Sequence, residues 1–200
     1  MDQQIIEEIP EEKILSEYKT DYSFSYTESN TFSVLLFIFS FVIFIGLFGF
    51  IWGFSHTWTV AEEFIFNVYI TIPVLIIGIF LHEFLHAITL LIFADVKISN
   101  LKAGINWISF TPYIHCKHPI KVSSYKISTF APALLMGIIP TLLAFIINSV
   151  PLLFFGILFI VTAGSDLFSL WKLRKVKGNY FASDHPEKAG CVIFENPFDI

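Results

Sequence analysis

Leu81-His82-Glu83-Phe84-Leu85-His86 sets two imidazoles and a carboxylate in the middle of an otherwise apolar run that extends from Val68 to Phe93. On a helix, His82 and His86 stand one turn apart, point from the same face and can grip a single metal ion. Glu83 lies beside His82 around the same cylinder, within reach of a water on that ion without being a ligand itself. This is the H-E-x-x-H spacing of zinc sites that activate water. Apart from Tyr69, these three are the only ionisable side chains between Val68 and Phe93. A charged or strongly polar group at the centre of a bilayer costs about 2.5 to 3.5 kcal/mol on insertion scales, so three of them within five positions point to a site rather than to packing.

The composition surrounds that stretch with more apolar sequence. Of the 200 residues, 55% are hydrophobic, 24 are Phe and only 14% are charged. Mean hydropathy is +0.71. These values describe an integral membrane protein with one domain, not a soluble globular chain. The net charge is -5, with much of the acid near the N-terminus, and no basic surface for nucleic acid is visible. Cys116 and Cys191 both fall in segments expected in the cytosol, where a disulfide is not expected.

Taken in order, residues 1–30 read as an acidic cytosolic tail, in which Ile5, Ile6, Ile9, Ile14 and Leu15 allow at most a short amphipathic helix. The tail's length and acidity do not fit a secretory signal, so the first apolar segment is expected to be retained. Four spans follow, at about 31–53, 68–93, 130–148 and 152–171, each long enough to cross a hydrocarbon core about 30 Å thick. Ser55 to Asn67, with His56 and Trp58, reads as a loop at the membrane interface. Between the second and third spans, short alternations such as Gly104-Ile105-Asn106-Trp107 and Ile108-Ser109-Phe110-Thr111 predict a small β-hairpin on the cytosolic face. Pro140 inside the third span predicts a kink. The fold class is therefore mainly α: a polytopic membrane domain over 31–175 with about four transmembrane helices and one small hairpin, followed by a cytosolic tail over 176–200. With the N-terminus inside, all 12 Lys and Arg lie on the cytosolic side, which predicts N-in, C-in topology. A compact four-span chain of this kind is compatible with a bacterial plasma membrane.

Two histidines leave a catalytic zinc site short of its usual third protein ligand. A third histidine at the elongated motif's position is excluded, because Ile92 occupies it, and no Glu occurs between Glu83 and Glu187. Asp95, Asp166 and Asp184 are the aspartates weighed for that place. At 1.5 Å per residue, Asp166 lies about 9 Å before Lys172 and His86 about 13 Å before Asp95, so Asp166 and His86 approach the same boundary at similar depths. Asp166 is the first choice and Asp184, from the C-terminal tail, the second; His115 and His118 come behind. Asp95 is too far along the motif helix to turn back. His115, Cys116 and His118 otherwise read as loop residues near the site's mouth, and Asp184-His185-Pro186 as a turn and helix start.

The blocks His82-Glu83-Phe84-Leu85-His86, Pro112-Tyr113-Ile114-His115-Cys116-Lys117-His118-Pro119, Ala131-Pro132, Gly164-Ser165-Asp166 and Asp184-His185-Pro186-Glu187-Lys188-Ala189-Gly190 together resemble the zincin-peptidase family DUF3267. The motif helix and the later Asp also resemble site-2-type intramembrane zinc metalloproteases, of the M50-like kind. Their Asn-Pro-Asp-Gly pattern is absent, since Gly164-Ser165 precedes Asp166 and Leu167 follows it. The resemblance implies packed transmembrane helices, a Zn²⁺-dependent peptidase activity, His82 and His86 as ligands and Glu83 as catalytic base. The expected partners are the lipid bilayer and a peptide or membrane-protein substrate, and no nucleic acid. A bound peptide must be extended near the metal, and Ile105 to Phe110 could offer it a strand edge. A metal or proton transporter and a non-catalytic metal-binding scaffold are the rival classes. A transporter usually draws polar groups from several spans, whereas the first and third spans, with the bounds above, contain none that ionise. A structural zinc site would not need Glu83.

Overall fold

The computed structural model describes residues 19–106, 111–185 and 188–194. Helix α1 runs from Tyr26 to Trp52, α2 from Phe54 to Phe66, α3 from Val68 to Phe93 and α4 from Val122 to Ile147. The last apolar segment is two helices, α5 (Val150–Thr162) and α6 (Gly164–Leu173), bent by 51° at Ala163. Three helices are long and apolar enough to cross a membrane, or four if the bent pair is one span. Strands β1 (Lys19–Asp21), β2 (Leu101–Asn106), β3 (Thr111–Cys116), β4 (Ile120–Lys121), β5 (Phe181–Asp184) and β6 (Cys191–Phe194) complete the described chain.

Helix α1 begins at a reciprocal cap: the Glu28 backbone N–H donates to Ser25 Oγ, and the Glu28 carboxylate accepts from the Ser25 backbone N–H. It therefore starts five residues before the expected boundary. Gly53, at φ 98°, turns the chain into α2, which replaces the expected interfacial loop. Thr57 and Ala61, one turn apart, are its buried face, and Ala61 packs with Phe48, Ala144, Val150, Leu153 and Ile157.

Helix α4 begins eight residues before the boundary that hydropathy suggests. Ser124, Ser128 and Thr129 lower the hydropathy of its first turns, yet all three are buried. Ser124 Oγ donates to the Phe93 carbonyl at 2.6 Å and Ser128 Oγ to the His86 carbonyl at 3.1 Å, so these hydroxyls clamp α4 to α3. Pro140 leaves the helix unbroken, because a wide π-type turn over Ala133–Ile138 precedes it. Asn148, in left-handed conformation, ends the helix, and Ser149 caps α5. Helices α4 and α5 then pack through small residues. A Cβ placed on Gly156 would lie 2.7 Å from the Thr141 backbone nitrogen and 2.8 Å from the Gly137 carbonyl.

Two antiparallel sheets stand at the end of the bundle where α3 and α6 stop and α4 begins. β2 pairs with β3 from Leu101↔Cys116 to Asn106↔Thr111. The expected strand positions Trp107 to Phe110 lie outside the described residues, as does the expected helical start of the N-terminal tail. The second sheet has the order β1-β6-β5-β4 and joins both ends of the chain. Lys19–Asp21, Phe181–Asp184 and Cys191–Phe194, expected in the two polar tails, are thus strands, and Val122, Leu173, Ala182, Cys191 and Ile193 form a second core beneath them. The helix start expected at Pro186 lies outside the described residues. Asp184 closes β5, and the His185 backbone N–H donates to the Gly190 carbonyl in the connection to β6.

Gly156→Ala is expected to lower the thermal unfolding midpoint in detergent, by a destabilisation of about 1 to 3 kcal/mol. An unchanged midpoint would show that α4 and α5 do not need this approach.

Candidate metal centre

The i, i+4 spacing on α3 brings the rings of His82 and His86 to a centroid distance of 5.0 Å. The break at Ala163 supplies the third group. It places Asp166 in the first turn of α6, where unpaired backbone N–H groups favour a carboxylate, and aims it at both rings. Asp166 Oδ2 lies 3.1 Å from His82 Nε2 and 3.5 Å from His86 Nε2. Donor atoms of the three residues all lie within 4.8 Å of one another, and no other such group of His, Cys, Asp or Glu occurs among the described residues. Ligands about 2.0–2.1 Å from a tetrahedral zinc stand roughly 3.3–3.4 Å apart, so these two separations already have the size of a coordination edge.

The hydrogen bonds ask for a cation at this point. His86 Nδ1 lies 2.9 Å from the Ser128 carbonyl oxygen, which can only accept, so Nδ1 carries the hydrogen. A neutral His86 ring then turns the lone pair of Nε2 toward the Asp166 carboxylate, a second acceptor. Two facing acceptors at this distance need a proton or a metal ion between them. A backbone carbonyl on the far nitrogen of a histidine is also the usual way a metal ligand's tautomer and ring orientation are held. Buried His82 Nδ1 has no hydrogen-bond partner among the described residues, so the partner that holds this ring is on the side of Asp166. The donor set, two imidazoles and one carboxylate, suits Zn²⁺.

These groups line a cavity of about 280 Å³ that Glu83 shares with Tyr113, His115 and Asp184. Glu83 is half-buried, and the Ile114 backbone lies within hydrogen-bonding reach of its carboxylate. A second cavity, about 260 Å³, also reaches His82 and Glu83 and is lined by Ile79, Pro112, Phe159 and Thr162. The motif is therefore reached by a polar space toward the sheets and an apolar one between helices.

Asp184 comes to the same cavity without joining the three-residue cluster. Its Oδ2 lies 2.9 Å from His115 Nδ1, and its Oδ1 accepts from the Tyr125 hydroxyl at 3.2 Å. The hydrogen bond that His115 Nδ1–H donates to Asp184 raises the His115 pKa above its ordinary 6.5, against a partial desolvation that lowers it. Burial pushes the neighbouring Cys191 thiol up to about 12. His115 and Cys116 are strand residues of β3, not loop residues, while His118 lies between β3 and β4 on the cavity wall. Asp95 follows the end of α3 and lines a different cavity. His56 is exposed on α2. The Ser128 carbonyl and the His115–Asp184–Tyr125 chain carry no sequence pattern. Only the histidine-rich block around His115 and the isolated acid at 184 hinted at them.

The sequence profile of the DUF3267 family, described as "Putative zincin peptidase", matches residues 75–181. The chain belongs to this family, and the match contains His82, Glu83, His86, His115 and Asp166. No curated protein and no solved structure matches the chain.

The native His115 ring holds its proton more tightly than the unfolded chain does, so the stability from its pairing with Asp184 is fully present below about pH 6.5 and is lost as pH rises through the raised native value. Unfolding midpoints measured against pH should fall over that window in the wild type. Asp184→Asn should flatten the fall; an unaltered profile would contradict the pairing.

Proposed function

We propose that the chain is a membrane-embedded zinc metallopeptidase that hydrolyses peptide bonds of membrane or membrane-proximal substrates. The observation that carries this reading is the convergence of His82, His86 and Asp166, with His86 held by a backbone carbonyl so that its lone pair faces the carboxylate. His82, His86 and Asp166 would hold the ion, and Asp184, committed to His115 and Tyr125, stays outside the ligand set. When bound, zinc supplies the Lewis acidity that lowers the pKa of a water toward 7 and polarises a carbonyl. Glu83, beside the ligands on the cavity wall, would take a proton from the attacking water as the water's oxygen bonds to the carbonyl carbon of the peptide. It would then give the proton to the amide nitrogen as the carbon–nitrogen bond breaks, leaving a carboxylic acid, which ionises to solvent, and an amine.

Membership of the zincin-peptidase family supports this assignment, and so do the apolar helices that surround the site. The resemblance to site-2-type proteases supports cleavage at membrane depth. With 12 Lys and Arg all in segments assigned to one side, N-in and C-in topology follows and opens the polar cavity to the cytosol. The apolar cavity bounded by Ile79, Phe159 and Thr162 is suited to a substrate side chain arriving from the lipid. A transporter is disfavoured because the three donor groups come from only two helices, α3 and α6.

Purified wild type is expected to carry one zinc per chain, lost in His86→Ala and in Asp166→Ala. Glu83→Gln is expected to keep its zinc and lose about 10²- to 10⁴-fold in peptide hydrolysis. Loss of zinc with Glu83→Gln would make Glu83 a ligand, and undiminished hydrolysis would remove it from the reaction.

A further inference from the structure

We propose that His115 is a further catalytic residue of this peptidase, its Nε2–H donating a hydrogen bond to the scissile carbonyl oxygen as negative charge develops there. The assignment rests on the metallopeptidase reading above. Three observations on separate elements lead to it. His115 lines the same cavity as His82, Glu83 and Asp166, on the wall that β3 and β5 contribute. The Ile114 backbone, one residue before it on β3, reaches the Glu83 carboxylate, so this strand passes directly beside the general base. Asp184 fixes one side of the ring at 2.9 Å and is itself held by Tyr125 at 3.2 Å. The side chain nevertheless remains 48% exposed, with no partner on Nε2 among the described residues.

The pairing decides what Nε2 can do. A carboxylate only accepts, so Nδ1 carries a hydrogen in every state of the pair. The neutral ring therefore has a lone pair on Nε2, and only the imidazolium has a second N–H to offer. The charged groups acting on this ring are Asp184 of β5 and Glu83 of α3, which favour the imidazolium, and Lys102 of β2, which opposes it. The phenols nearby are Tyr113 on β3, stacked at 4.9 Å, and Tyr125 of α4 against Asp184. A cationic donor prepared before the reaction, in a site partly shielded from water, is the arrangement that stabilises an oxyanion most. His115 keeps both protons throughout, and the water's proton travels through Glu83 as described above.

The test compares wild type, His115→Ala, His115→Gln and Asp184→Asn. Each is assayed for zinc content, for kcat and KM on a peptide substrate against pH, and for calorimetric binding of an N-phosphoryl dipeptide, whose phosphoryl oxygens stand in for the oxyanion. His115→Ala should keep its zinc, lose about 10²- to 10³-fold in kcat with little change in KM, and bind the phosphoryl dipeptide more weakly. His115→Gln, which retains an N–H donor, should recover part of the loss. Wild-type kcat should fall as pH rises through the raised His115 pKa, Asp184→Asn should move that limb to lower pH, and His115→Ala should lack it. Wild-type kcat and phosphoryl-dipeptide affinity in His115→Ala would overturn the assignment while leaving the peptidase reading intact. A zinc-loaded wild type that cleaves no peptide would overturn both. Should His115→Ala fail to fold, an unmoved alkaline limb in Asp184→Asn would overturn the His115 role.

Discussion

Three polar side chains inside an apolar helix demand compensation, and the structure is arranged around supplying it. His82 and His86 cannot be left facing lipid, where unsatisfied polar groups cost several kcal/mol each. Asp166 and the Ser128 carbonyl provide their partners from two other helices. That requirement brings α4 and α6 against α3. Because His86 is bound by an acceptor on each side, the arrangement is satisfied only when a proton or a metal ion sits between its ring and the carboxylate.

The remaining architecture holds those partners in place. Small residues at Gly137 and Gly156 let α4 and α5 approach closely. The bend at Ala163 then turns the last span so that Asp166 begins a helix at the depth of the motif instead of lying in the middle of one. The four-stranded sheet joins strands from early and late in the chain across the same end of the bundle, and through β5 it places Asp184 on the cavity wall, where it holds His115 of β3. The motif helix, Asp166 and the polar wall thus come from elements distant in sequence, linked by hydrogen bonds rather than by apolar contact alone.

How much of this was legible in the sequence follows from which forces are local. The motif helix was legible because an apolar run with one i, i+4 histidine pair has a single reading, and its bounds, 68–93, agree with α3. The pairing of Asp166 with the motif followed from depth, since helical rise converts residue counts into distance. Other features were hidden because their cause is tertiary. The first turns of α4 look like surface sequence until Ser124 and Ser128 are seen bonded to carbonyls of α3. Helix α2 looks like a loop because only Thr57 and Ala61 of its residues are fully buried. The break at Ala163 is masked by helix-compatible residues on either side. Strands β1, β5 and β6 are too short and polar to announce a sheet whose members are nearly the whole chain apart.

The central claim is that His82, His86 and Asp166 form a cation site of nitrogen and oxygen donors. X-ray absorption at the zinc edge of the detergent-purified protein tests it most directly. The account predicts a shell of nitrogen and oxygen neighbours at about 2.0–2.1 Å with imidazole scattering behind it, altered in Asp166→Ala. A sulfur neighbour at about 2.3 Å, or a spectrum indifferent to His86→Ala, would place the metal elsewhere and contradict the account.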